Sequence, residues 1–496
     1  MFDKPYWENK LKDQRFINHA VINGKPYTAR SGKVFEVVNP ASNAVLAQVT
    51  ACQAEDVDVA VQAARNVFSS GVWSAASAQQ RKTVLQRLSQ LILQHREELA
   101  LLESVSMGKP VQDALNIDVP GAANVFAWYA ESIDKLYDEV APTPPGSLAT
   151  ITREPVGVVA AIVPWNFPLD IASWKLGPAL AAGNSVILKP SEHSPFTALR
   201  LAELASEAGI PDGVLNVVTG LGTETGSALG LHHDVDVITF TGSTTVGKAF
   251  MHYSAQSNLK QVWLECGGKS ANIIFADCQD LALAAEKAAF GICFNQGEVC
   301  SANSRLLVEK AVYSQFIAML TEKVAAWAPG HPFDSQTRMG AMVSSAHKNK
   351  VLDYIARAQE QGATLLTGGK SQQIDGVDNY LQPTLLGAVT PAMSVWQEEI
   401  FGPVLAISMF TDEDQAIELA NQHIYALAAS VWSDDLNRAH RVAARLNAGT
   451  VSVNTVDALD VSVPFGGNKQ SGFGRDLSLH AFDKFTQLKT TWFQFR

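Results

Sequence analysis

Cysteine is scarce in this sequence of 496 residues, and its spacing argues against two common roles. The five cysteines stand at positions 52, 266, 278, 293 and 300, and no two of them form a CxxC pair. An odd number without that spacing argues against a disulfide framework and against a structural zinc site, so we expect no metal. Unpaired cysteines are typical of a reducing compartment, and we expect the protein in the cytoplasm.

Clustered basic residues and long apolar runs are also missing. The net charge is −11, which argues against a nucleic-acid-binding surface because phosphates are neutralised by clustered Lys and Arg. The longest apolar run, VGVVAAIV, is far shorter than the roughly 20 residues that span a bilayer. The N-terminal stretch MFDKPYWENKLKDQRF lacks the apolar core of a secretory signal. We therefore expect binding to neither nucleic acid nor membranes.

Short apolar runs do alternate with helical patterns from about residue 150 onward. VGVVAAIV, NSVILK, GVLNVV and DVITF are continuous apolar runs, which are typical of strands buried on both faces of a parallel sheet. Between them, SPFTALRLAELASEAG predicts a helix with Ser194 as N-cap, Pro195 at the first helical position and Gly209 at the end. This alternation predicts a doubly wound α/β sheet with right-handed crossovers.

A second α/β alternation follows the Gly267–Gly268 pair, so we expect two α/β domains. Its strand-like runs are ANIIF, SRLLVE, VLAISMF, LAASVWS and GTVSVN. Two further strand-like segments, LATITREP and FTQLKTTWFQF, lie outside both alternations. We expect these two segments to pair with each other or with another subunit, which predicts an oligomer.

The segment FNQGEVCSANSR contains a cysteine in unusual surroundings. Structural cysteines usually lie among apolar side chains that keep the thiol neutral and inert. Cys300 instead lies close to Glu298, Ser301 and Asn303, and Gly297 allows a tight turn before it. This context favours a reactive thiol, whose partners must come from elsewhere in the chain.

Two predicted strands end in groups that suit a dinucleotide. FTGSTTVGKAF has a glycine-rich turn, from Gly242 to Gly247, at the start of a predicted helix, where backbone N–H groups bind phosphate. In ILKPSE, Lys189 and Glu192 suit the two hydroxyls of a ribose, and Glu192 would repel a 2′-phosphate, which favours NAD over NADP. The alternatives are a plain helix cap and two solvated charges.

Two more strand ends carry polar side chains. Asn166 in PWNFP is held between prolines and aromatics, as an oxyanion donor should be, although an ordinary turn asparagine fits the same position. Glu265 in WLECGGKS ends an apolar run, which disfavours its charged form and suits a general base near neutral pH. The alternative for Glu265 is a carboxylate that faces solvent.

Together these segments resemble the NAD(P)-dependent aldehyde dehydrogenase superfamily over nearly the whole chain. The resemblance rests on seven ordered motifs: PWNFP, WKLGPALAAGNSVILKPSE, FTGSTTVG, LECGGKS, FNQGEVC, QEEIFGPV and PFGGNKQSGFGRD. It implies an α/β fold with a Rossmann-like NAD-binding domain (1–135 and 156–267), an α/β catalytic domain (268–470) and a small β oligomerisation arm (136–155 and 480–496). It also implies NAD as cofactor, an aldehyde substrate, and a homodimer or homotetramer.

The resemblance implies a role for individual residues. Cys300 is implied as the nucleophile, Glu265 as the base that activates water, and the Asn166 amide with the Cys300 N–H as the oxyanion hole. Lys175 is implied as a proton-relay or structural partner of Glu265. The residues implied to contact the cofactor are Trp165, Lys189, Glu192, Gly222, Gly242, Ser243, Glu399 and Phe401.

The chain departs from the family pattern at three of these motifs. Cys266 stands where Leu or Ala is common, Glu298 replaces a frequent Gln, and Asp476 replaces a frequent Glu. If Glu298 is ionised and near Cys300, it would raise the pKa of the thiol. That possibility concerns the reactivity of the thiol and leaves its role unchanged.

Two segments are most similar in sequence to bacterial dehydrogenases for γ-glutamyl-aminobutyraldehyde, guanidinobutyraldehyde and other ω-aminoaldehydes of polyamine catabolism. They are DVPGAANVFAWYAESIDKLY and VPFGGNKQSGFGRDLSLHAFDKFTQLK. The substrate-tunnel residues implied by this resemblance are Asp170, Trp174, Asp457 and Phe465, with Leu459 and Asp460 near the mouth. Carboxylates with aromatic walls suit a cationic tail. The alternative is that each aspartate is solvated or paired with Lys or Arg.

Three other functions remain open at this point. A broad-specificity aliphatic or aromatic aldehyde dehydrogenase would share every motif above. A cysteine hydrolase or acyltransferase would pair Cys300 with a histidine, but no histidine lies in these motifs. A binding protein that had lost turnover would have no need to keep Cys300, Glu265, Asn166 and Lys189 together.

Overall fold

The computed structural model describes residues 2–496 as helices and strands joined by short loops. The α-helices are α1 Lys4–Lys12, α2 Ala54–Ser70, α3 Ala78–Gln94, α4 Arg96–Met107, α5 Val111–Asp113, α6 Val119–Ser132, α7 Pro168–Ala181, α8 Phe196–Ala208, α9 Ser227–Leu231, α10 Thr244–Gln256, α11 Leu281–Cys293, α12 Tyr313–Ala325, α13 Ser345–Glu360, α14 Ser394–Gln397, α15 Glu413–Asn421 and α16 Leu436–Arg445. Shorter 3₁₀ or π turns cover Ala114–Asp118, Ile133–Lys135, Gly222–Gly226, Phe294–Gly297 and Leu479–Lys484.

The strands are mostly short and alternate with these helices. They are β1 Ala20–Ile22, β2 Lys25–Tyr27, β3 Val34–Val38, β4 Val45–Thr50, β5 Glu139–Ala141, β6 Ser147–Pro155, β7 Val158–Ile162, β8 Ser185–Lys189, β9 Leu215–Val217, β10 Val237–Thr241, β11 Gln261–Glu265, β12 Ala271–Ile274, β13 Arg305–Glu309, β14 Thr364–Thr367, β15 Ser371–Ile374, β16 Val377–Leu381, β17 Thr384–Gly387, β18 Val404–Phe410, β19 Tyr425–Ala426, β20 Ala428–Trp432, β21 Thr450–Val453, β22 Asn468–Lys469, β23 Gly472–Phe473 and β24 Thr486–Gln494.

The first large sheet has the strand order β2-β1-β9-β8-β7-β10-β11-β23. Its five central strands, β9 to β11 in that order, are parallel, and β1, β2 and β23 add antiparallel edges. Every residue of β7, β8, β9 and β10 is buried, which confirms the prediction from the four apolar runs. The strand order reverses between β7 and β10, and ligands of such sheets bind outside the carboxyl ends of the strands at this point.

The second large sheet has the order β14-β17-β18-β13-β12-β20-β21 and is parallel except at β14. Its strands come from the second alternation of the sequence, as predicted. The two sheets confirm the α/β fold with two α/β units. The limits of the domains stay a prediction, because β23 joins the first sheet from far along the chain.

A three-stranded sheet forms the arm that the resemblance implied. β6 pairs with β24 in antiparallel register over its full length, from Ser147 opposite Gln494 to Pro155 opposite Thr486, and β5 pairs with β6. This confirms that LATITREP and FTQLKTTWFQF pair with each other. Leu488, Trp492 and Phe493 on β24 are exposed.

The predicted helix after β8 is correct at its end and wrong at its start. α8 ends at Gly209, whose φ of +103° is the left-handed cap that glycine provides. The N-cap position, however, is occupied by Pro195, and the buried hydroxyl of Ser194 has no hydrogen-bond partner. Ser194 therefore lies one residue before the cap position, and its hydroxyl accepts from no N–H group of the helix.

Within residues 2–496, no helix is both long enough and apolar enough to cross a bilayer.

Candidate active site

The ends of β7, β10 and β11 open onto one cavity of about 240 Å³ at the point where the strand order reverses. Polar or glycine residues follow or end these strands, as the sequence predicted. The cavity walls include eight of the predicted site residues, namely Trp165, Asn166, Gly242, Ser243, Glu265, Cys300, Glu399 and Phe401. They also include Cys266, His347 and Lys350. Residues from both large sheets therefore meet here.

A tight turn delivers Cys300 to the cavity. After α11 the backbone takes three consecutive left-handed conformations, with φ of +48° at Asn295, +59° at Gln296 and +70° at Gly297. A Cβ atom on Gly297 would lie 2.4 Å from the carbonyl carbon of Gly402, so only glycine allows this close approach. The turn fixes Cys300 against the loop that carries Glu399 and Phe401.

The Cys300 thiol is only partly exposed, and its surroundings hold it in the neutral form. Burial is the main reason why its pKa is well above the usual value, and the nearby carboxylates of Glu265, Asp457 and Glu399 raise it further. The thiolate is the nucleophilic form, so its fraction grows as pH rises. The side-chain carboxyl of Glu298 accepts a hydrogen bond from the Val343 N–H, so it points toward Val343 rather than toward the thiol.

The Asn166 side chain is buried and held in one orientation. Its Nδ2 donates to the main-chain carbonyl of Glu298 at 2.8 Å. Asn295 supports the same region, because its Nδ2 lies 3.2 Å from the carbonyls of both Asn166 and Glu298. A primary amide has two N–H groups, so Asn166 keeps a second donor for the cavity.

Glu265 ends β11 and has the surroundings of a general base. Its pKa is raised to about 8, first by burial and then by the Asp476 carboxylate. Its Oε1 is buried without a hydrogen-bond partner. A carboxylate with a pKa near the working pH and a free lone pair accepts a proton efficiently.

Lys175 hydrogen-bonds to Asp476, which sequence reasoning had noted only as a departure. The Nζ of Lys175 lies 2.5 Å from Asp476 Oδ2, and all three groups of the Lys175–Asp476–Lys484 cluster are buried. Both lysines lower the pKa of Glu265, so they act on it through space. Sequence reasoning missed Lys484, because nothing in FDKFTQ marks it.

The residues implied for adenosine lie along the same sheet edge. Lys189 ends β8, is buried, and lies 3.5 Å from Glu192. A Cβ on Gly222 would meet nothing within 4 Å, whereas one on Gly242 would lie 2.5 Å from the Phe240 ring. Open space at one glycine and close packing at the other suit a ligand that lies across the sheet edge.

The start of α10 offers an anion site next to this edge. The hydroxyl of Ser243 is the N-cap of the helix and accepts from the Val246 N–H at 3.4 Å. The remaining N–H groups of the first turn have no partner inside the helix, so they suit a phosphate. The buried hydroxyl of Thr241, directly before Gly242, is also without a partner.

Glu399 and Phe401 form another part of the cavity wall. The Oε1 of Glu399 accepts from the Gly268 N–H at 3.0 Å, and a Cβ on Gly267 would lie 2.0 Å from its Oε2. Burial raises the pKa of Glu399 to about 7. The Phe401 ring packs edge to face on Trp165 at 5.3 Å.

The implied substrate residues are only partly brought together. Trp174 and Phe465 pack edge to face at 5.4 Å. Asp457 is near enough to Cys300 to raise the pKa of the thiol. Burial, followed by the Asp118 carboxylate, raises the pKa of Asp170 to about 7. Among the residues that the structure describes, neither Asp170 nor Asp457 forms a salt bridge.

The two residues implied at the tunnel mouth are exposed. Leu459 is at the surface. Asp460 accepts hydrogen bonds from the backbone N–H and the hydroxyl of Ser462, so it stabilises its own turn.

Comparison with known proteins agrees with this geometry. The sequence profile described as the aldehyde dehydrogenase family matches residues 27–491. The NADP/NAD-dependent aldehyde dehydrogenase PuuC of Escherichia coli is 53% identical over 487 residues, which are 98% of each chain.

Two solved structures align with this protein over 100% of both chains. The indole-3-acetaldehyde dehydrogenase AldA of P. syringae, in complex with NAD⁺ and IAA, is 51% identical with a TM-score of 0.99. The γ-glutamyl-γ-aminobutyraldehyde dehydrogenase of Burkholderia cenocepacia is 50% identical with a TM-score of 0.98. These findings confirm the resemblance inferred from the seven motifs: the chain belongs to the aldehyde dehydrogenase family.

Proposed function

We propose that this protein oxidises an aldehyde to the carboxylic acid with NAD⁺, through a covalent intermediate on Cys300. The observation that carries the proposal is that Cys300, Asn166 and Glu265 line one cavity at the carboxyl ends of the first sheet's strands. A nucleophile, an oxyanion donor and a base are the groups that acyl transfer through a thioester requires.

The first step is attack of the Cys300 thiolate on the aldehyde carbon, which forms a C–S bond and leaves a negative oxygen. The second N–H of Asn166 and the backbone N–H of Cys300 donate to this oxygen. Because the bond to Glu298 already fixes Asn166, the donor needs no reorganisation when the charge develops.

The residues at the sheet edge fit NAD⁺. Loss of a hydride converts the thiohemiacetal into a thioester, and bound NAD⁺ would accept that hydride. Lys189 and Glu192 would hold the adenine ribose, with Gly222 beside the adenosine. Gly242, Ser243 and the first turn of α10 would bind the pyrophosphate.

The nicotinamide half of the cofactor fits the other side of the cavity. Glu399 would bind the nicotinamide ribose, and Trp165 with Phe401 would flank the ring. One carboxylate oxygen of Glu399 accepts from the Gly268 N–H. The other oxygen lies against Gly267, at a position where a side chain larger than that of glycine would clash with it.

The last step is hydrolysis of the thioester. The free Oε1 of Glu265 takes a proton from water, the water oxygen attacks the acyl carbon, and the C–S bond breaks to release the acid and the Cys300 thiolate. Within the buried cluster, Lys175 and Lys484 lower the pKa of Glu265 and oppose the Asp476 carboxylate, which raises it, so Lys175 acts on the base through space in this scheme.

We propose ω-aminated aldehydes, of the kind produced in polyamine catabolism, as the preferred substrates. The support is the family relative named for γ-glutamyl-γ-aminobutyraldehyde, together with two carboxyls that form no salt bridge among the described residues: Asp170 beside Trp174, and Asp457 near Cys300. Carboxylates and aromatic faces attract a cationic tail. The relative that acts on indole-3-acetaldehyde favours the second candidate, a broad aliphatic or aromatic specificity.

Initial rates of NADH formation with matched concentrations of 4-aminobutyraldehyde, 4-guanidinobutyraldehyde, γ-glutamyl-aminobutyraldehyde, hexanal and benzaldehyde test both proposals. Higher kcat/KM for the aminated aldehydes supports the substrate class. Higher kcat/KM for hexanal or benzaldehyde supports the broad specificity. No NADH from any of the five would contradict the proposed function itself.

We further propose a cytoplasmic homodimer or homotetramer assembled through the arm of β5, β6 and β24. The support is the exposed apolar side chains of β24, namely Leu488 and Trp492 on one face of the strand and Phe493 on the other. We keep the domain limits given above as part of this proposal. Light scattering on Trp492→Lys should show a smaller particle than the unchanged protein, and an unchanged mass would contradict the role of the arm.

A further inference from the structure

Phe401 has a backbone conformation that its side chain does not favour. Its φ is +61°, in the left-handed region that residues other than glycine rarely adopt. Such a conformation persists only when the surrounding structure holds it. Phe401 lies in the loop between α14 and β18, and its ring forms part of the cavity wall.

His347, on α13, contacts the backbone of Phe401 directly. Its Nε2 lies 2.6 Å from the Phe401 main-chain carbonyl. A carbonyl only accepts, so the imidazole carries its proton on Nε2. Burial, with smaller effects of the Lys350 and His193 charges, lowers the pKa of His347 to about 4 against the opposing effect of the bond to Phe401, so the ring is neutral near neutral pH.

The same imidazole completes a cluster of three rings on this wall. The ring centroid of His347 lies 5.6 Å from that of Trp165 and 6.2 Å from that of Phe401, in both cases edge to face. Trp165 and Phe401 also pack edge to face. Each ring therefore limits the movement of the other two.

Glu298 lies behind the imidazole and connects it to the oxyanion donor. Its fully buried Oε1 accepts from the Val343 N–H at 3.1 Å and lies 3.9 Å from His347 Nε2. Burial raises the pKa of Glu298 well above the usual value, which favours the neutral form of its carboxyl. The main-chain carbonyl of the same residue accepts from Asn166.

We propose that His347 is a positioning residue that holds Phe401 in its left-handed conformation and thereby sets the wall against which the nicotinamide lies. The inference rests on the proposed NAD⁺ function of this cavity. It extends that function to a residue that no motif in the sequence marks. The close approach of Gly297 to Gly402 ties the Phe401 loop to the turn that carries Cys300, so the position of this wall also sets the distance to the thiol.

The test compares His347→Asn with His347→Gln. The asparagine side chain is too short to reach the Phe401 carbonyl, whereas the glutamine amide places a donor at about the position of Nε2. We expect His347→Asn to weaken NAD⁺ binding about tenfold, as loss of one net hydrogen bond does, and His347→Gln to restore most of the affinity. Isothermal titration with NAD⁺ and the KM for NAD⁺ measure this effect.

A second readout separates positioning from general disruption. Hydrolysis of p-nitrophenyl acetate without cofactor uses Cys300 and Asn166 but not the nicotinamide wall, so in His347→Asn its rate should fall by a much smaller factor than the affinity for NAD⁺. The matched control is His440→Asn, an exposed histidine on α16, which should match the unchanged protein in every assay.

Equal NAD⁺ affinity in His347→Asn and the unchanged protein would overturn the inference, as would a parallel loss of ester hydrolysis. If the unchanged protein binds NAD⁺ but forms no NADH from any aldehyde, the proposed function fails. The titration still decides the role of His347 in that case.

Discussion

Replacing Glu265 with glutamine removes the proposed base and keeps the shape of the side chain. Glu265 is the group whose surroundings fit this role most closely, with a buried and unpartnered Oε1 and a pKa raised to about 8. A glutamine cannot accept a proton from water. We therefore expect Glu265→Gln to stop at the thioester.

The size of the effect follows from the contribution of a general base. We expect the steady-state rate to fall by about 10²–10⁴-fold, because hydrolysis of the thioester becomes limiting. The attack by Cys300 should not slow, since the Glu265 carboxylate is one of the charges that raise the pKa of the thiol. Without that charge the pKa of Cys300 falls, and alkylation by iodoacetamide becomes faster above about pH 8, where Glu265 is ionised in the unchanged protein.

Stopped-flow absorbance of NADH measures both steps in one trace. Glu265→Gln should give a rapid burst of about one NADH per subunit, followed by slow turnover, as expected when an acyl-enzyme accumulates. The unchanged protein should show steady-state rates that rise with pH through about 8, as Glu265 loses its proton, and the variant should lose this rise.

Thermal unfolding at several pH values tests the raised pKa of Glu265 independently, because that pKa fixes the direction in which stability changes with pH. The pKa of Glu265 rises from its ordinary value of 4.5 to about 8 on folding, so the folded state binds the proton more tightly. Its contribution to stability is present below about pH 4.5 and is lost as pH rises through about 8. Glu265→Gln should therefore be more stable than the unchanged protein above about pH 8. Normal steady-state turnover of Glu265→Gln without a burst of NADH would contradict the role of Glu265 as the base.

Three further predictions concern other parts of the site. Asn166→Ala should lower kcat/KM by about 10²–10³-fold through loss of an oxyanion donor, and an unchanged kcat/KM in the NADH assay would exclude that role. Gly297→Ala should yield little folded protein, because its φ of +70° and the 2.4 Å approach to Gly402 leave no room for a methyl group; a normal yield and Tm would contradict this. Lys109→Met should lower the free energy of unfolding in urea by about 3–5 kcal/mol, since it leaves the buried Asp118 carboxylate unpaired, and the loss should shrink at low pH. An equal loss at every pH would argue against the ion pair.

The sequence predicts most of the first sheet and the groups at its edge. Continuous apolar runs identify β7, β8, β9 and β10 because strands buried on both faces leave no polar position. Parallel strands bring their carboxyl ends to one edge, so Asn166, Gly242 and Glu265 could be expected to lie together before any coordinates were known. Their catalytic roles stay predictions until the variants are measured.

Contacts between distant segments could not be predicted from the sequence. Lys175 and Asp476 are separated by 301 positions, and His347 and Phe401 by 54. Each pair forms only because the fold brings two distant segments together, and no local pattern shows that the two partners meet. The N-cap of α8 was predicted one residue too early, because the helix begins at Phe196 and the Ser194 hydroxyl forms no hydrogen bond with it.

The most direct test of the central claim is the rate of NADH formation by Cys300→Ala, measured together with its affinity for NAD⁺. A nucleophile that forms the C–S bond cannot be replaced by a methyl group, so dehydrogenation should be abolished while NAD⁺ binds as in the unchanged protein. If Cys300→Ala oxidised aldehydes at the normal rate, the covalent mechanism would be wrong.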